Sequence, residues 1–194
     1  MTDAIARDTA ESLLSYAERT LATVVYGAPP PPQPRLAILD EEYGAFSTLK
    51  IGDRLRGCIG NFAGAGALRD ILPRVVRDSA LNDPRFPPVR PEELEAIAHT
   101  LSILFPGYAV ETAEEIRLGV DGIILAVGGR RAVFLPEVAE EQGWDLATTL
   151  SRLAHKAGLR AEAWRDDGAE IRVFQTVRIR RSAADGSIVL EGGR

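Results

Sequence analysis

Arg54-Leu55-Arg56-Gly57-Cys58-Ile59-Gly60 holds the one cysteine of the chain, and the reading of the fold starts from it. Ala45-Phe46-Ser47-Thr48-Leu49-Lys50 precedes it, a run rich in strand formers, with Gly52-Asp53 lying between the two. A Gly-X pair between two apolar-bearing runs predicts a tight hairpin, with Gly52 taking the positive φ of a type II′ turn. Side chains alternate faces with period two, so the turn sets the register. Counted without interruption, Arg54, Arg56 and Cys58 share one face while Leu55 and Ile59 take the other. Ser47 then stands opposite Cys58.

This arrangement carries chemistry. An arginine two positions from a cysteine on the same face favours the thiolate. Gly57 and Gly60 bracket the sulfur without side chains, so a ligand or another backbone has room to approach closely. The alternative is a small hydrophobe packed between Gly57 and Ile59, the commoner fate of a lone cysteine. The residues alone leave both open.

At 194 residues the chain has the length of one domain, with or without two lobes. A single cysteine rules out an intrachain disulfide and suits a reducing compartment. Met1-Thr2-Asp3-Ala4-Ile5-Ala6-Arg7-Asp8 is too charged for a signal peptide, and no apolar run reaches the length of a membrane span. The expectation is a cytoplasmic protein with no membrane partner. The net charge of −5 argues against a general nucleic-acid binder. From Asp53 to Arg90, however, there are seven arginines against four aspartates. An anionic small molecule or an acidic partner surface is compatible with that excess, and so are solvated helix faces.

Apolar residues at Ala10, Leu13, Leu14, Ala17, Leu21 and Val24 predict a helix from about Asp3 to Val25. Pro29 to Pro34 reads as an extended connector. Leu68 to Ala80 has helical spacing, with the helix starting near Leu72 or kinking at Pro73. In Asn82-Asp83-Pro84-Arg85-Phe86-Pro87-Pro88-Val89 the prolines hold a rigid loop that presents Asp83, Arg85 and Phe86. Ile97 to Phe105 alternates as a strand and places His99 among apolar residues, as a core histidine with a satisfied nitrogen. A short helix is expected over Glu111 to Leu118. A hairpin turns at Gly128-Gly129, and a helix from Leu146 to Lys156 is N-capped by Asp145. One long strand with Ile171, Val173, Val177 and Ile179 closes the pattern, followed by a loosely held tail from Ser182 to Arg194. No glycine-rich phosphate fingerprint, zinc-spaced cysteine or histidine set, or nucleophile elbow occurs, so neither cofactor nor metal is expected.

Five segments in order resemble the AMMECR-domain family, whose prokaryotic members are called protein A of the AmmeMemoRadiSam system. They are Leu55-Arg56-Gly57-Cys58-Ile59-Gly60, Asp83-Pro84-Arg85-Phe86-Pro87-Pro88, Phe134-Leu135-Pro136-Glu137-Val138-Ala139, Gly143-Trp144-Asp145 and Lys156-Ala157-Gly158-Leu159. The resemblance implies an α+β fold of two unequal lobes, mostly antiparallel sheet packed with helices, the larger lobe built from both chain ends. It places a single domain over residues 1–181, with 182–194 as the tail. It also implies association with a Memo-type protein and a radical-SAM enzyme, and it supplies no settled reaction. Arg56, Gly57, Cys58, Gly60, Asp83, Arg85 and Phe86 match its motifs. Three positions depart: many members carry an acidic residue where Thr100 stands, an apolar one at His99 and a second cysteine at Ala154.

Two functional readings follow. In the first, Cys58 is a candidate catalytic thiolate stabilised by Arg56. Arg54, Gly57, Gly60, Asp83, Arg85 and Phe86 then bind an anionic small molecule or a partner protein. In the second, the chain is a non-catalytic binding module that presents an arginine-lined cleft to a Memo-type or radical-SAM partner. RNA binding ranks last, because no basic stripe interleaved with aromatics is visible.

Overall fold

The hairpin forms at the predicted turn: β1 runs Gly44–Ile51, β2 runs Arg54–Asn61, and they pair antiparallel. Gly52 has φ 57° and Asp53 is not among the positive-φ residues, which is the type II′ pattern. These observations come from a computed structural model that describes residues 5–192. The expected helix start at Asp3 and the last two residues of the expected tail lie outside that range.

The register departs from the uninterrupted count. Ile51 faces Arg54 and Lys50 faces Leu55, but Leu49 then faces Gly57, leaving Arg56 as the extra residue of a β-bulge. One unpaired residue reverses the parity of everything after it. Thr48, not Ser47, therefore stands opposite Cys58, and Ser47 faces Ile59. Gly57 joins Leu49 on the face covered by helix α2 (Leu68–Leu81), and Cys58 joins Thr48 on the other face. The expected common face of Arg56 and Cys58 does not exist.

The chain forms two compact units. The larger takes residues 5–104 together with 177–191, so both chain ends build it. Its sheet has the order β2-β1-β3-β8-β9, with β3 at Ile97–Leu104, β8 at Thr176–Arg181 and β9 at Ile188–Gly192. Helix α1 (Arg7–Tyr26) buries the predicted stripe of Ala10, Leu13, Leu14, Ala17 and Leu21, and ends where Gly27 adopts φ 65°. Helix α2 packs on β1 and β2 and against α1.

Pro73 lies inside α2, where it cannot donate to the Arg69 carbonyl. Gln33, from the proline-rich connector, supplies the missing donor: its Nε2 reaches Arg69 O at 2.8 Å. The helix thus runs through its proline and starts before it. The expected loose tail is also corrected. Ile188–Gly192 is the edge strand β9, and Arg180 on β8 donates to Glu191 on β9 at 2.6 Å.

The smaller unit takes residues 105–176. Its sheet order is β4-β7-β5-β6, with β4 at Tyr108–Ala109, β5 at Gly122–Val127, β6 at Arg130–Phe134 and β7 at Ala169–Phe174. Helices α3 (Glu137–Gln142) and α4 (Leu146–Lys156) belong to it, and Asp145 caps α4 by accepting from Thr148 N–H at 2.8 Å. Leu125, Leu150, Leu153 and Val173 are central to its core. Over residues 111–118 only a 3-10 turn at Ala113–Glu115 forms, with Glu115 accepting from the Thr112 N–H, in place of the expected helix.

The expected long strand is in fact two strands: β7 belongs to one sheet and β8 to the other, with buried Gln175 between them. Helices with antiparallel ladders in both sheets make the fold α+β. Among the described residues no helix is long and apolar enough to cross a membrane.

Candidate functional site around Cys58

Strand β2 is an edge of its sheet, and the polar main-chain groups of Cys58 are taken by the Asp83–Pro88 loop. Cys58 N–H donates to Asp83 Oδ2 at 2.8 Å, and Arg85 Nη2 donates to Cys58 O at 3.0 Å. An unpaired edge normally invites another strand, and here two side chains satisfy it instead. Asp83 holds Arg85 in turn, accepting from its N–H at 3.1 Å, its Nε at 2.9 Å and its Nη2 at 2.7 Å.

Asp83 is only 4% exposed, so a charge there needs this full complement of donors. The Arg85 guanidinium is the main cause holding its carboxyl far below the usual range. Burial opposes that effect, and the N–H groups of Cys58 and Arg85 add to it. The loop thus brings Asp83 and Arg85 to Cys58. Asp83 is occupied as a clasp, with its donors already supplied by the chain itself.

The Cys58 side chain is half-buried, with Thr48 Oγ1 at 3.3 Å from the sulfur. The Arg85 guanidinium interacts with the Cys58 thiol as well as its carbonyl, which contributes to raising the Arg85 pKa after the larger contribution of Asp83. Arg85 also lies over the half-buried Phe86 ring, 5.5 Å from its centroid.

Arg56 is placed otherwise than expected. Its Nε and Nη2 form a fork with Glu93 at 2.7 and 2.9 Å, while Nη1 and Nη2 reach Pro87 O and Pro88 O at 2.9 and 3.1 Å. The Arg56 hydrogen bonds push Glu93 down to about 2. Arg56 therefore pins the loop to the bulge, and the cation that reaches Cys58 is Arg85, through the carbonyl. Arg54 lies exposed beside the turn.

The glycines are also explained by packing. A Cβ on Gly57 would overlap the Ser79 carbonyl oxygen of α2, and one on Gly60 would overlap the Phe46 ring. Backbone takes the Cβ space at Gly57, and a ring takes it at Gly60. The local arginine excess is likewise absorbed internally: Arg56 and Arg90 pair with Glu93, Arg69 with Asp40, Arg77 with Asp78 and Arg85 with Asp83.

Three participants escape a reading of the sequence alone: Thr48, Glu93 and Ser79. The bulge brings Thr48 to the sulfur, and the other two approach only through tertiary contact. Beneath the same strands, buried His99 Nε2 lies 2.9 Å from Ser47 Oγ, which lies 2.8 Å from Ser79 Oγ. Ser79 donates to Val76 O at 2.9 Å. With its one proton so committed, Ser79 accepts from Ser47, and Ser47 accepts from His99 Nε2–H. One His99 nitrogen is satisfied as expected. Nδ1 is a buried acceptor without a partner among the described residues, and burial pushes the ring down to about 4. Among the described residues no three His, Cys, Asp or Glu side chains converge as a metal set.

Comparison with known proteins places these features in context. The family described as AMMECR1 matches residues 14–179. A protein of Methanothermobacter thermautotrophicus is 38% identical over 144 residues, 71% of this chain and 75% of its own length. One from Thermofilum pendens is 33% identical over 175 residues, 82% of each. The crystal structure of an uncharacterized protein from Pyrococcus horikoshii is similar with a TM-score of 0.84 and 30% identity, over 97% of this chain and 98% of that one.

Proposed function

The chain belongs to the AMMECR1 family, and from that premise we propose that it works through the Cys58 thiol. In this reading it is one component of the AmmeMemoRadiSam system. It uses the thiolate as a nucleophile or redox group on an anionic small molecule or a partner protein, with Memo-type and radical-SAM proteins as its associates. One observation carries the reading: the sulfur is half-buried on an edge strand, with the Thr48 hydroxyl beside it and the Arg85 guanidinium on the carbonyl of the same residue. A thiol packed for its volume alone needs neither neighbour. Thr48 orients the sulfur, and Asp83 and Arg85 fix the Cys58 main chain.

The alternative, an arginine-lined docking cleft, has less support, since five of the seven arginines between Asp53 and Arg90 pair within the chain. The test is iodoacetamide labelling of the folded protein across pH, with the adduct located by peptide mass. Labelling at Cys58 under native conditions is expected. Labelling only after denaturant is added makes Cys58 a packing residue and ends the proposal.

A further inference from the structure

We infer that Asp83 restrains the reactivity of Cys58 by neutralising the guanidinium that reaches the same residue. This rests on the proposal that Cys58 is a working thiol, and it names what regulates that thiol. Asp83 occupies Nε and Nη2 of Arg85, and the same Nη2 reaches the Cys58 carbonyl. The cation at Cys58 therefore arrives with its counter-ion attached. A paired guanidinium stabilises a neighbouring thiolate less than a free one does, because the carboxylate field opposes it at nearly the same distance.

The other charged groups around the sulfur do not supply this control. Arg56 and Glu93 neutralise one another across the bulge. Lys50 lies on the Cys58 face of β1 but is exposed, and β3 brings Thr100, which is uncharged, opposite Thr48. Helix α2 covers the opposite face, where it places the Ser79 carbonyl against Gly57. Asp83 acts through Arg85 and is a positioning residue; it does not touch the sulfur in any hydrogen bond of the structure.

The consequence runs against the usual expectation for a buried structural aspartate. Asp83→Asn keeps an oxygen to accept from Cys58 N–H and removes the charge. In iodoacetamide alkylation the thiolate forms the S–C bond and iodide leaves, so the rate follows the thiolate fraction. At pH 7 the Asp83→Asn protein is expected to alkylate roughly three- to tenfold faster than the wild type, with its rate–pH profile displaced to lower pH.

Arg85→Gln leaves the carboxylate unopposed and is expected to move the profile the other way. The double variant carries neither charge and is expected to return to within about twofold of the wild type, because the two fields cancel there at nearly the same distance. An unchanged or slowed Asp83→Asn protein overturns the inference. So does a double variant that reacts as fast as Asp83→Asn alone, which would mean simple loosening of the loop. If circular dichroism shows Asp83→Asn unfolded, Arg85→Gln decides alone, and an unmoved profile there refutes it. Native labelling of the wild type with no Asp83 effect sinks this inference and spares the proposed function. A thiol silent in every folded variant sinks both.

Discussion

Replacing His99 by leucine tests the buried hydrogen-bond chain beneath β1 and β3. Burial disfavours the charged form of the ring and pushes it from its ordinary 6.5 down to about 4. Between those two pH values the unfolded chain binds a proton that the folded one refuses. Stability is therefore fully present above pH 6.5 and falls as pH drops toward 4. That displacement corresponds to about 3 kcal/mol lost across that window.

The geometry gives the reason. Nε2 already carries its proton toward Ser47, so a second proton must go on Nδ1, where no acceptor waits among the described residues. His99→Leu removes this titration and leaves Ser47 donating to Ser79 and Ser79 donating to Val76 O. At pH 7 the leucine variant is expected to lie within about 1 kcal/mol of the wild type or above it, since it loses one hydrogen bond and one orphaned acceptor together. Urea unfolding at pH 7.0, 6.0, 5.0 and 4.0 measures both proteins. Asp83 and Glu93 also weaken the fold in acid, but they do so in both chains, and the difference between the two curves isolates His99. Parallel curves refute the reasoning, because Nδ1 would then have a partner able to accept a proton.

Two further perturbations probe the clasp around Cys58. Gly57→Ala puts a methyl group into the Ser79 carbonyl, a backbone atom that cannot swing aside, and is expected to cost at least about 3 kcal/mol in urea unfolding. A loss below 1 kcal/mol would mean that α2 does not bear on β2 there. Glu93→Gln removes one side of the Arg56 fork, whose side chains are 13% and 19% exposed, and is expected to cost about 2 kcal/mol at pH 7. Because Glu93 is held at about 2, that loss shrinks as pH falls below about 4.5, where the wild-type carboxylate begins to lose its own advantage. The same variant is expected to cleave faster in limited proteolysis within residues 83–88, and resistance equal to the wild type would show that Arg56 does not hold the loop.

What the sequence determined by itself is local. Gly52-Asp53 specifies the turn, because glycine alone takes the positive φ that a II′ hairpin needs. The stripe from Ala10 to Leu21 specifies one buried helix face, and Asp145 specifies the start of α4, through interactions that span at most a few residues. The prolines after Asp83 likewise specify a stiff loop.

Tertiary structure decided the rest, wherever an outcome depends on which partner arrives. The bulge at Arg56 leaves no periodic mark, yet it exchanges Ser47 for Thr48 at the sulfur. Arg85 rather than Arg56 reaches Cys58 because Glu93, distant in sequence, claims Arg56 first. Continuous alternation through residues 171–179 is the same whether a strand stays in one sheet or changes sheets at Gln175, since side-chain period says nothing about the neighbour supplying the hydrogen bonds. For the same reason β9 was invisible. A short edge strand takes its order from the strand it pairs with, and that strand is folded from elsewhere in the chain.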